Sequence, residues 1–267
     1  GGFLVTFVER EGRLGGTDMA LAQAVIAAAA PARVTIAGGV TTPEEIAKLD
    51  RMGADAQVGM ALYTGRLDLA DAIMAPLTSD RPDGLWPTVV VDERGQALGL
   101  VYSSRDSVRE AVRRRRGVYQ SRTRGLWVKG ESSGHTQELL RIEVDCDRDS
   151  PRFVVRQTGA GFCHLDTWTC WGEESGLSRL ERLLMSRLKE APQGSYTARL
   201  FADPDLLAAK LREEADELAR AATREEVVWE AADVLYFTLA RLAAAGVDLA
   251  AVEAHLDRRA LKVTRRG

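Results

Sequence analysis

The spacing of apolar residues changes twice along this chain, and each change restricts the fold more than composition does. Up to residue 77, the short strand-like runs FLVTFVE, RVTIAGG and AQVGM alternate with two segments of helical character, the Ala-rich stretch from Asp18 to Ala30 and TPEEIAKLDRMG. Pro43 near the start of the second segment and Gly53 at its end punctuate a helix. Strands alternating with helices predict parallel strands joined by crossover helices. After the polar passage TSDRPDG, a period of two takes over in PTVVVDERGQALGLVY and ELLRIEVDCDRDSPRFVVRQ, which predicts a strand-rich, antiparallel region. From Ser178 the pattern is helical: Ser178 with Glu181 and Thr223 with Glu226 fit capping boxes, Asp203 before Pro204 marks another start, and Gly246 ends the helix begun after Thr223. A chain of 267 residues is long enough to bury a separate core in each part.

Charge narrows the function classes. With 36 basic and 39 acidic residues the formal net charge is -3, so no overall field draws the chain to nucleic acid or to a membrane. The run Arg113 to Arg116 reads as a solvated helix face that at most helps to hold a substrate phosphate. No apolar run approaches the roughly 20 residues that span a bilayer, and the start lacks a basic stretch followed by a hydrophobic segment and a cleavage site. The expectation is a cytoplasmic protein with small-molecule partners, binding neither nucleic acid nor membrane.

The segment DCDRD, Asp145 to Asp149, concentrates carboxylates around a thiol. Read as an extended strand, it puts Asp145, Asp147 and Asp149 on one face and Cys146 on the other. Three aligned carboxylates repel one another unless a cation neutralises them, and oxygen donors suit Mg2+. The three cysteines, Cys146, Cys163 and Cys170, are odd in number and clustered in a chain without an export signal, which favours metal over disulfides. Thiolates suit Zn2+, and three of them leave the fourth position to a metal-activated water; His164 or His135 in that position would instead close a structural site. Chemistry alone leaves both possibilities open.

In the helical part, KLREEADELA places Lys210, Glu213, Glu214 and Glu217 largely on one side, with Leu207, Leu211 and Leu218 supplying apolar contacts. In the next helix, EAADVLY makes Glu230 and Asp233 surface neighbours. Two facing acidic helices form an Mg2+ site able to clamp a polyphosphate; the plainer reading is a solvated acidic pair. His255, on a charged helix outside these motifs, reads as a surface residue.

Three resemblances sharpen this reading. LWPTVVVDERGQALGLVY, YQSRTRGLWVKGESSGHTQE, DCDRD and GFCHLDTWTC, in that order, closely resemble phosphoribosyl-AMP cyclohydrolase across residues 78–173. The resemblance implies Zn2+ bound by Cys146, Cys163 and Cys170 with thiolates contributed across a homodimer interface, and Mg2+ near Asp145, Asp147 and Asp149. It also implies attack of water on C6 of an N1-ribosylated adenine, with His135 or His164 moving the proton. The acidic helices with SYTARLF upstream resemble phosphoribosyl-ATP pyrophosphohydrolase across residues 178–267. That implies Mg2+ held by Glu213, Glu214, Glu217, Glu230 and Asp233, with Glu214 and Glu217 orienting the attacking water and Lys210 facing phosphate. The two substrates would be phosphoribosyl-ATP and phosphoribosyl-AMP, the product of one reaction being the substrate of the other, and fusion raises the intermediate's local concentration.

TFVEREGRLGG, IAGGVTTPEEI and VGMALYTGRLDLADAI resemble the C-terminal part of a histidine-biosynthetic isomerase with a (β/α)8 barrel, here over residues 1–77. The resemblance implies phosphate bound at Gly38, Gly39 and Gly59 and substrate contact at Thr6, whereas Glu11 and Met60 depart from the residues usual in that family. About three strands cannot close an eight-stranded barrel, and the acid and base of the isomerase family lie on earlier strands. No isomerase activity is expected, and the chain is expected to be a piece of a longer fusion. The expected fold is thus multidomain: a partial (β/α)8 barrel fragment, a β-rich α+β cyclohydrolase domain and an all-α pyrophosphohydrolase domain. The competing class is a non-catalytic metal-binding scaffold with structural zinc.

Overall fold

The computed structural model describes residues 1–172, 174–192 and 194–261. The chain divides into two compact units, the first ending at Trp171 and the second beginning at Gly172.

The first unit opens with a parallel sheet in the order β1 (Gly2–Thr6), β2 (Arg33–Ala37), β3 (Ala54–Gln57). Thr6 lies opposite Ala37, and Ala37 opposite Gln57, so the three strand ends line up. The crossovers are α1 (Met19–Ala29) and α2 (Pro43–Arg51), whose apolar faces bury Ala22 and Leu49 against Val34 and Ile36. Helix α2 starts at a capping box: the Thr42 hydroxyl accepts from the Glu45 N–H, and the Glu45 carboxylate accepts from the Thr42 N–H. The same carboxylate accepts from Thr17 N–H at 2.8 Å and Thr41 N–H at 2.8 Å. One side chain therefore fastens the loop after β1 to the loop after β2. Beyond β3 come the short helices α3 (Met60–Tyr63) and α4 (Leu69–Met74).

The second sheet contains β4 (Trp86–Val91), β5 (Ala97–Ser103), β8 (Gln137–Val144) and β9 (Pro151–Gln157) in the order β5-β4-β9-β8. The two hairpins within it are antiparallel, as the period of two leads one to expect, but the central pair β4–β9 is parallel. The reason is the passage between the hairpins. The chain leaves β5 through α5 (Arg105–Arg114) and a small ribbon, β6 (Val118–Ser121) with β7 (Gly125–Val128), and this crossover lets β9 run alongside β4. Helix α4 contributes Ala70 and Met74 to the core formed by Trp86, Val90, Leu98, Val108 and Phe153, so this core reaches back ahead of residue 78. Arg113 and Arg114 of the basic run pair with Glu110 one turn away. Phe153 is fully buried and packs against the Tyr119 ring at 5.5 Å. Phe153→Ala is expected to lower stability by about 3–5 kcal/mol, read as the loss of free energy in denaturant unfolding of the first unit.

Among the described residues the second unit's regular elements are all helices: α6 (Gly176–Lys189), α7 (Tyr196–Ala202), α8 (Pro204–Arg220), α9 (Arg224–Ala244) and α10 (Leu249–Leu261). Leu184, Leu200, Leu207, Phe237, Leu239 and Ala240 form its core. Asp203 caps α8 by accepting from Leu206 N–H, and Thr223 with Glu226 closes the expected box on α9. The Ser178–Glu181 box does not form, because α6 starts earlier, at Gly176. Glu181 is buried instead and accepts from Leu249 N–H at the start of α10. Among the described residues no single helix is long and apolar enough to cross a membrane.

Candidate active sites

DCDRD is not a strand. Strand β8 ends at Val144 and β9 begins at Pro151, so the segment is the loop of their hairpin, with Arg148 in the left-handed region at φ +67°. Its carboxylates meet because the loop curls. Asp145 Oδ1 accepts from Asp149 N–H at 3.1 Å and Ser150 N–H at 3.2 Å, drawing the ends together. Oxygens of Asp145, Asp147 and Asp149 thereby lie within 4.8 Å of one another. The negative charge of Asp147 lifts the Asp149 carboxyl above its ordinary range.

The thiols divide. Cys163 and Cys170 line one cavity of about 450 Å³ together with His135, His164, Asp166 and Lys129. Cys146, in the hairpin loop, is exposed and contacts Asp147 at 3.8 Å. Among the described residues, one chain therefore brings two of the three predicted zinc thiols together, with His164 Nδ1 at 3.9 Å from Cys163 Sγ. Hydrogen bonds from the Leu165 N–H and the Thr167 hydroxyl lower the Cys163 pKa, favouring its thiolate, whereas burial and the neighbouring Cys163 push Cys170 up. A soft donor pair of this kind fits zinc, and it needs further ligands to fill a tetrahedron.

His135 is fixed on both sides. Its Nδ1 accepts from Ala160 N–H at 3.1 Å, which leaves Nε2 to carry the proton of the neutral ring, 3.3 Å from Asp166. Gly159 permits this: a Cβ there, at φ +75°, would stand 2.1 Å from His135 Nδ1. Lys129 and Asp166 are residues that the sequence reading missed. Lys129 is only 5% exposed, donates to the His135 carbonyl at 3.1 Å and lies over the Phe162 ring. Burial lowers its pKa while Cys170 and Cys163 raise it, so the ammonium faces the thiols. A lysine directly after the apolar strand β7 was the available signal.

In the helical unit, α8 and α9 bring Glu214, Glu217 and Glu230 within 4.8 Å of one another. Glu214 is buried, and Lys210 Nζ holds both it and Glu213 at 2.9 Å. Lys210 thus engages the carboxylates directly, and these bonds raise its pKa. Desolvation, then the charges of Glu217, Glu214 and Asp233, lift the Glu230 carboxyl above its ordinary range. Glu213, which pairs with Lys210, and Asp233, whose charge acts on Glu230, are not among the three carboxylates that converge. His255 is exposed on α10, near Arg258.

At the aligned ends of β1, β2 and β3, Thr6, Gly38, Gly39 and Gly59 line a common cavity of about 290 Å³, with Glu11 and Met60 on its wall. Gly39, at φ +86°, passes so close to Gly16 that a Cβ would stand 2.5 Å from its carbonyl oxygen.

Comparison with known proteins assigns all three regions. Residues 1–68 match the profile of a family described as histidine biosynthesis protein, residues 99–172 that of phosphoribosyl-AMP cyclohydrolase, and residues 177–260 that of phosphoribosyl-ATP pyrophosphohydrolase. The histidine biosynthesis bifunctional protein HisIE of Deinococcus radiodurans is 40% identical over 196 residues, which is 67% of this chain and 89% of that protein. The chain belongs to the bifunctional HisIE family. Fungal relatives are more similar and much longer. The bifunctional protein his7 of Schizosaccharomyces pombe is 57% identical over 201 residues, 75% of this chain and 48% of his7. The trifunctional protein of Neurospora crassa is 57% identical over 202 residues, 76% of this chain and 23% of that protein. The chain thus spans less than half the length of these fungal proteins.

Proposed function

We propose that the chain performs two successive hydrolyses: phosphoribosyl-ATP to phosphoribosyl-AMP and pyrophosphate in the helical unit, then opening of the adenine ring of phosphoribosyl-AMP in the strand-rich region. The observation that carries this reading is that each matched segment holds its own convergent site: Glu214, Glu217 and Glu230 in one, and Cys163, Cys170 and His135 in the other.

In the helical unit, Glu214, Glu217 and Glu230, with Glu213 and Asp233 beside them, would hold Mg2+, which supplies charge neutralisation for a polyphosphate. Glu214 and Glu217 orient the attacking water. Once a cation replaces Lys210 as the partner of these carboxylates, its ammonium is free to meet phosphate. In the strand-rich region, Cys163 and Cys170 would hold Zn2+ with Cys146 of a second copy, making a homodimer, and Asp145, Asp147 and Asp149 would hold Mg2+. Zinc supplies a water of lowered pKa near neutrality. The exposed His164 is the group able to accept the water proton and return it to the ring nitrogen as the N1–C6 bond breaks, whereas His135, with Nδ1 accepting from Ala160 N–H and its Nε2 proton toward Asp166, is set to donate a hydrogen bond. Trp127 and Phe162 give the cavity aromatic walls suited to a purine, and Arg124, stacked on Trp127, suits its phosphate.

Cytoplasm is the proposed location, where the three free thiols stay reduced. The N-terminal segment is proposed to derive from a (β/α)8 barrel, with Thr6, Gly38, Gly39 and Gly59 at its phosphate-binding end; no turnover of the isomerase substrate is expected from this 267-residue protein.

Lys129→Met tests the role of the missed lysine. Loss of the ammonium beside the thiols is expected to slow ring opening by about 10–100-fold, while pyrophosphate release stays at the parent's rate. The homodimer is tested by mixing and refolding two inactive variants, Cys146→Ser and Cys163→Ser. Shared sites predict recovered ring opening in the mixture; two permanently dead variants would show that each chain builds its site alone.

A further inference from the structure

The hairpin loop that gathers Asp145, Asp147 and Asp149 also contains Arg148, the cation nearest to them in sequence. A guanidinium tethered between carboxylates is a built-in competitor for any divalent ion they hold, because it satisfies the same oxygens bidentately. In the structure it is turned elsewhere. Arg148 Nε lies 2.9 Å from Asp50 Oδ1 and 3.1 Å from Asp50 Oδ2, and Nη2 lies 2.7 Å from Oδ1. Among the described residues its ion-pair partner is Asp50 of α2 and none of the loop's own carboxylates. The remaining nitrogen, Nη1, donates to the Asp145 carbonyl, and the Arg148 carbonyl accepts from Thr78 N–H at 2.7 Å. The arginine is thus held at both ends, by a helix of the parallel-sheet segment and by the chain entering β4.

We propose that Asp50 is a positioning residue for the divalent-cation site of the cyclohydrolase region: by retaining the Arg148 guanidinium it leaves Asp145, Asp147 and Asp149 free for the ion. The N-terminal segment then has a purpose within this chain that does not depend on isomerase chemistry, since it sets the metal affinity of its neighbour. The inference rests on the reading of the loop as a cation site.

The test is a titration of the full chain with Mn2+, followed through paramagnetic broadening of the Asp149 and Ser150 amide resonances, which reads this loop apart from the helical site. Asp50→Asn should raise the Mn2+ needed for half-broadening by at least about fivefold, because the released guanidinium pairs with the loop carboxylates. Arg148→Gln alone should need no more Mn2+ than the parent, and the double variant Asp50→Asn with Arg148→Gln should return to the parent's value although it lacks the same ion pair. The inference is overturned if Asp50→Asn titrates like the parent. It is equally overturned if Arg148→Gln weakens binding as much as Asp50→Asn and the double variant stays weak, the pattern of a plain structural tie. If the parent's amides do not broaden at all, the cation-site reading fails and the inference with it.

Discussion

Cys163→Ser is expected to abolish ring opening, by more than about 100-fold, while leaving pyrophosphate release unchanged, so that phosphoribosyl-AMP accumulates. Cys163 is buried, and its thiolate is favoured by hydrogen bonds from the Leu165 backbone and the Thr167 hydroxyl. A serine hydroxyl in the same place is a poorer zinc ligand and stays protonated near neutrality, so the proposed zinc would be held less tightly. The substitution is nearly isosteric, and the Phe162 and Trp168 backbone bond that shapes this loop does not involve the thiol. Retained thermal stability with lost zinc, measured by metal analysis of the purified protein, separates the chemical effect from misfolding. Unchanged ring opening in Cys163→Ser would remove the thiol from the site.

Glu214→Gln should have the opposite phenotype, with phosphoribosyl-ATP left intact and supplied phosphoribosyl-AMP still opened. Glu214 is the buried member of its carboxylate group and the one that Lys210 also holds. The amide keeps the shape but removes a charge from the site proposed to bind Mg2+, and a loss of about 100-fold or more in pyrophosphate release is expected at limiting Mg2+. The same site should respond to pH. The Glu230 carboxyl sits above its usual range because it is partly desolvated and faces Glu217, Glu214 and Asp233. A raised pKa means that a proton competes with the metal sooner as pH falls, so the Mg2+ needed for half-maximal pyrophosphate release should rise as pH falls from neutrality towards the ordinary glutamate value of about 4.3, beginning above that value. A flat Mg2+ requirement over that range would contradict the assignment of Glu230 as a ligand.

What the sequence revealed and what it hid follow from the range of the interactions concerned. The Asp203 and Thr223 caps were legible because a cap is settled within four residues, and the crossover helices between β1, β2 and β3 were legible because their period is local. Ser178 and Glu181 satisfy the same local rule yet lost to a tertiary one: Glu181 is buried to hold the start of α10. The parallel pairing of β4 with β9 could not be read from a period of two, which is shared by parallel and antiparallel edges; the topology of the crossover decides it. DCDRD was misassigned as a strand because it continues the alternation of β8, whereas its charge density and the turn at Arg148 make it the hairpin loop. Its carboxylates still converge, for a different reason from the one alternation suggests. Likewise Glu214, Glu217 and Glu230 were legible from helical spacing, but the attachment of Lys210 to Glu213 and Glu214, and the placing of Lys129 and Asp166 beside His135, depend on side-chain directions that spacing does not encode.

The measurement that bears most directly on the two-step reading is a time course of phosphoribosyl-ATP incubated with the full chain, Zn2+ and Mg2+, resolved by chromatography. The account predicts one pyrophosphate released per phosphoribosyl-ATP consumed, a transient of phosphoribosyl-AMP and its conversion to the ring-opened product. A folded protein that retains zinc stoichiometrically yet leaves both phosphoribosyl-ATP and supplied phosphoribosyl-AMP unchanged would contradict it, and would make the chain a metal-binding scaffold.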